Sequence, residues 1–119
     1  MKVNVFSRIP MENKHAYEIL AEVVPHMKER PGMYFHPVNF NNLRLYMEGF
    51  ITGLAWGPGE EGNREISRWL GKKVQRGSNV IWTAHVLALA NDDEQKAWDL
   101  LFHYLEEFLK EKGNPPSKE

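Results

Sequence analysis

Apolar side chains recur along this chain at the spacing of an α-helix far more often than at the alternation of a strand. The clearest case runs from Asp92 to about Lys112. At about 100° per residue, Ala97, Trp98, Leu101, Phe102, Tyr104, Leu105, Phe108 and Leu109 fill one broad arc of a helical wheel. Lys96, Asp99, His103, Glu106, Glu107 and Lys110 fill the other, with Asp99 and His103, and Glu106 and Lys110, one turn apart. Asn91 stands three residues before Glu94, the spacing of a capping box, and Gly113 followed by Pro115 and Pro116 supplies the stop. An apolar arc this wide can touch several neighbours, which makes this helix the expected central support of a bundle.

Leu43, Tyr46, Met47, Phe50, Ile51 and Leu54 predict a helix over Asn41 to Leu54. Gly49 and Gly53 share another of its faces. Each costs about 1 kcal/mol relative to Ala, so the pair predicts that a second backbone packs close there. Tyr17, Leu20, Val24 and Met27 mark a helical segment between Glu12 and Arg30, where Pro25 is expected to break or kink the helix. Ile66, Trp69 and Leu70 predict a short helix after the break at Trp56-Gly57-Pro58-Gly59, opened by Glu60, Glu61 and Asn63 and ended by Gly71. Trp82, His85, Val86 and Leu89 predict another, with Ser78 as its cap, although Val80-Ile81-Trp82-Thr83 also has strand character. Val3, Val5 and Ser7 alternate as in a short β-strand, so residues 1–10 form a strand or arm, and residues 113–119 form a polar tail. The expected fold is mainly all-α: one compact bundle of about five helices over residues 11–112.

Composition narrows the function classes. With 119 residues, 42% hydrophobic and 26% charged, the chain suits one folded domain and neither a disordered segment nor a membrane protein. A formal net charge of -1 supplies no global field toward nucleic acid or anionic lipid. The absence of Cys removes disulfides, thiolate nucleophiles and Cys-based zinc sites, and it suits a reducing compartment. No stretch has the apolar length of a signal peptide core or a membrane span, so the expected location is the cytoplasm.

The chemistry-bearing residues assemble into no local motif. His15, His26, His36, His85 and His103 include no pair at i, i+4 and no H-E-x-x-H sequence, so no metal site is nominated. His85 reads as a core imidazole ahead of a proton-transfer group, and His103 as part of a solvated face. Ser7, Ser67, Ser78 and Thr52 lie in no nucleophile sequence, and no catalytic residue is nominated. The glycines between Gly57 and Gly62 match neither a Walker loop nor a dinucleotide fingerprint, and the adjacent Glu60 and Glu61 repel phosphate, so no cofactor is expected. Lys72-Lys73-Val74-Gln75-Arg76 is a compact basic cluster, read either as solvated surface or as a contact to phosphate or an acidic partner. Trp56, beside a Gly-Pro-Gly break, either seals the end of its helix or anchors an interface.

Arg30-Pro31-Gly32-Met33-Tyr34 resembles the opening segment of the gyrase B type of ATPase, but the glycine motifs that hold nucleotide in that family are absent, which argues against ATP binding. A broader likeness joins Arg30 to Tyr34, the Leu43 to Gly53 helix, Ile66 to Leu70, Trp82 and the run from Asp93 to Phe102. In these anchors the chain resembles small uncharacterised bacterial helical proteins, some of them immunity proteins that neutralise a toxin. The resemblance implies a shared helical fold more than a shared activity. The leading expectation is a protein-binding module of the immunity type that occludes a partner's active surface. Trp56, Glu60, Glu61, Asp99, Glu106 and Glu107 are the candidate partner-binding residues. Another protein is the expected partner, a homo-oligomer is compatible, and nucleic acid and membrane are not expected. Two alternatives stand beside this reading. One is a small enzyme in which His85 meets Glu48 or His36 only in the fold; the other is a nucleic-acid regulator using Lys72, Lys73 and Arg76.

Overall fold

In the chain, a computed structural model describing residues 13–56, 59, 61–76 and 80–112, the helical periodicities become α1 (Asn13–Glu29), α2 (Phe40–Gly53), α3 (Gly62–Lys73), α4 (Trp82–Leu89) and α5 (Glu94–Lys112). A short 3-10 turn, Pro31–Met33, links α1 to α2. The described residues form an all-helical bundle, while the strand expected within residues 1–10 and the tail at 113–119 lie outside them. Side chains are described from Ala16 onward.

α5 is the central support that its wide apolar arc predicts, for it packs against each of the other four helices. Leu101, Phe102, Leu105 and Phe108 are buried in a core shared with Leu20, Met27, Leu43, Met47, Ile66 and Leu70. Its start differs from the capping box expected at Asn91. Asp93 caps the helix instead, its carboxylate accepting from the Lys96 N–H at 3.1 Å. The reason is that Asn91 is already committed to ending α4. With φ of 55° it takes the left-handed conformation, and the N–H groups of Asn91 and Asp92 bond back to the carbonyls of Ala88 and Leu87 at 3.0 Å each.

α1 runs through Pro25 rather than breaking there. Pro25 and Ala21, whose carbonyl loses the Pro25 N–H as a donor, both lie on the exposed side of the helix. In α2, Asn39 accepts from the Asn42 N–H at 2.8 Å and starts the helix, while Phe40, Leu43, Met47 and Ile51 turn inward. Tyr34 and Phe35, just after the 3-10 turn, pack on Tyr46 with ring centroids 6.0 and 5.9 Å away, and Phe35 also meets Trp98 at 6.2 Å. The aromatic residues of that turn therefore tie the α1–α2 link to α5.

Gly71, expected to end α3, lies buried inside it, and the helix continues to Lys73. Glu61 serves as the N-cap, its carboxylate accepting from the N–H groups of Asn63 and Arg64 at 3.2 and 3.0 Å. Ser78, the expected cap of α4, lies outside the described residues. Ile81 occupies the cap position with no side-chain bond of its own.

Candidate functional site

The six residues nominated from the sequence occupy separate places. Trp56 is half-buried, its indole N–H donating to the Ile51 carbonyl at 2.8 Å and its ring edge-on to Tyr17 at 5.5 Å. It also covers Gly62, where a Cβ would stand 2.1 Å from Trp56 Cζ2. Trp56 thus seals the end of α2. Glu61 caps α3, and Glu60 lies outside the described residues. On α5, Glu106 pairs with Lys28 of α1 at 3.4 Å, and Glu107 pairs with Lys73 of α3 at 3.5 Å. Asp99 is exposed.

The polar groups that do converge sit where α2, α3 and α4 meet. Asn63 donates through Nδ2 to the Glu48 carbonyl and to Thr52 Oγ1, each at 3.0 Å, and its Oδ1 accepts from the fully buried Trp82 indole N–H at 2.9 Å. Ser67 donates to the Asn63 carbonyl at 2.7 Å and accepts from the Trp82 backbone N–H at 2.9 Å. That bond supplies α4 with the cap its own sequence lacks. Beside it, the buried Thr83 hydroxyl donates to the Glu48 carboxylate, which also pairs with Arg44 at 3.3 Å. Each partner satisfies another, so this junction behaves as a structural latch joining three helices.

An open groove of about 610 Å³ adjoins the latch. Leu45, Gly49 and Gly53 of α2 line it together with Glu61, Asn63 and Ile81. Leu45 is 53% exposed, and a Cβ built on Gly49 or Gly53 meets nothing within 4 Å. The close backbone expected at these glycines is therefore absent among the described residues. Geometry explains this: Gly49 lies about 200° around the helix from the buried Met47, on the side turned away from the core.

No family model, curated protein or solved structure matches this chain. Among the described residues, no group of three or more His, Asp or Glu stands together to hold a metal, and no helix is long and apolar enough to cross a membrane. His85 is buried on α4, His36 is exposed ahead of α2, and Glu48 is engaged by Arg44 and Thr83. Sequence reasoning overlooked Asn63, Ser67 and Thr83 as a connected set. The available signal was the i, i+4 spacing of Asn63 and Ser67 on the same side as Ile66 and Leu70, where a polar pair needs partners from another helix.

Proposed function

We propose that this chain is a protein-binding module that acts by occluding a partner's surface, in the manner of an immunity protein. One observation carries the reading: Gly49, inside α2, and Gly53, its last residue, border an open groove beside exposed Leu45, and among the described residues nothing outside the helix's own backbone stands within 4 Å of a Cβ built on either. Glycine inside a helix weakens it by about 1 kcal/mol relative to Ala, and nothing in the described fold requires that weakness. A notch without side chains lets a partner's backbone approach closely, with Leu45 as the adjoining apolar contact.

Gly49→Leu fills the notch while leaving the buried face of α2 unchanged. The test is co-purification with the product of the neighbouring gene, and with proteins of the source cell, using the unaltered chain and this variant. The expected outcome is a stoichiometric complex with the unaltered chain that Gly49→Leu abolishes. Capture of no partner, with turnover of a small substrate by the purified chain, would overturn the reading.

A further inference from the structure

Charge on this molecule is unevenly neutralised. Lys28 pairs with Glu106, Arg44 with Glu48, and Lys73 with both Glu107 and Glu111, all between 3.3 and 3.7 Å. Arg64, Lys72 and Arg76 form no ion pair among the described residues, and Arg68 reaches only Glu65, at 3.9 Å. Arg64, Arg68 and Lys72 stand at i, i+4 and i+8 on the exposed arc of α3, opposite buried Ile66 and Leu70. A rise of about 1.5 Å per residue spaces them about 6 Å apart along the axis. Like charges one turn apart repel, and the acids beside them are Glu65, within reach of Arg68, and Glu61, whose carboxylate caps the helix at the Arg64 N–H.

We propose that this ridge takes an acidic helix of a partner protein, whose carboxylates one turn apart meet Arg64, Arg68 and Lys72. The inference rests on the protein-binding reading and adds the partner's charge and form. Carboxylates at i, i+4 and i+8 of a helix repeat at the same pitch of about 6 Å, so successive pairs form without distorting either helix. Three features disfavour nucleic acid. The chain carries a net charge of -1. Even with Arg76 the ridge supplies four cations, fewer than the roughly six to ten phosphate contacts of a typical DNA-binding protein. Trp69 is packed edge-on against Phe108 with its ring under Lys73 Nζ at 5.2 Å, so it offers no free face for stacking a base.

The test uses the full chain, isotopically labelled, and two synthetic helical peptides of identical composition. One carries Glu at i, i+4 and i+8; the other scatters the same residues around its helix. Amide shifts are followed at low and moderate salt. The matched peptide is expected to bind about tenfold tighter than the scattered one, to move signals of residues 63–76, and to weaken as salt rises. The triple variant R64E/R68E/K72E should abolish the preference while retaining its helical circular dichroism, and R64A/R68A/K72A should lose most of it. Equal binding of the two peptides, shifts lying elsewhere, or displacement of the matched peptide by an equal concentration of a single-stranded oligothymidine would overturn the proposal. Capture of the neighbouring gene's product separates this failure from failure of the wider reading. If Gly49→Leu abolishes capture and R64E/R68E/K72E leaves it intact, the ridge proposal falls alone. If neither variant affects capture, the groove reading falls with it.

Discussion

Asn63 and Ser67 show how two polar side chains can organise a junction of three helices. Ser67 accepts from the Trp82 N–H, which is one of the donors that the start of α4 leaves without an intrahelical partner. Ser67→Ala strands that buried donor and is expected to cost about 1–3 kcal/mol, read as a lower urea midpoint with an unchanged slope. Gly62→Ala acts through contact instead. Its new methyl would collide with Trp56 and Ile51, and the expected cost is about 1–3 kcal/mol, partly relieved in the double variant Gly62→Ala with Trp56→Leu. Residues of this kind were the least legible in the sequence. Asn63 and Trp82 are 19 positions apart, and a hydrogen bond over that separation leaves no periodic trace. Hydrophobic spacing identified Ile66 and Leu70 because apolar burial repeats with the helix, and it passed over the polar residues interleaved with them.

At the level of the helix, the five segments were legible and their ends were less so. α2 was expected over Asn41 to Leu54 and forms over Phe40–Gly53, because Asn39 supplies a cap that apolar periodicity does not reveal. Pro25 was read as a break or kink and Gly71 as the end of its helix, yet neither interrupts the helix: the first lies at an exposed edge of α1, the second inside the packed face of α3. The glycines of α2 were read as the place where another backbone packs close, ahead of a ligand, yet no such backbone stands there among the described residues; spacing alone does not tell an inner face from an outer one. This sets an opposed pair of effects. Gly49→Ala, inside α2, should stabilise the isolated chain by up to about 1 kcal/mol, seen as a higher thermal midpoint, and Gly53→Ala, at its last residue, by less. The same substitutions should weaken partner capture.

For the whole molecule, the arrangement of α5 against every other helix makes its core side chains common supports. Leu105, fully buried, is expected to cost about 2–5 kcal/mol as Leu105→Ala, with the loss appearing in one cooperative transition by both far-UV and aromatic circular dichroism. Asp99→Ala, on the exposed side of the same helix, should change stability by less than about 0.5 kcal/mol. The contrast also explains why the partner surface was harder to read than the fold. A core announces itself by repeating apolar positions, whereas an exposed charge has the same sequence signature whether it meets water, Lys28 as Glu106 does, or another protein. Only the folded arrangement separates Glu106, Glu107 and Glu111 of α5, each facing a Lys, from Arg64 and Lys72 of α3, which pair with no acid among the described residues.

The borrowed cap of α4 has a consequence for local opening. Eight residues make too short a helix to persist alone, and its two ends are held by Ser67 of α3 and by the turn into α5. Its amides should therefore exchange with solvent hydrogen at the rate of the α3–α4 pair as one foldon, and Ser67→Ala should accelerate the exchange of Val86 and Leu87 without touching either residue. α4 is in this sense a helix whose lifetime is set by its neighbours.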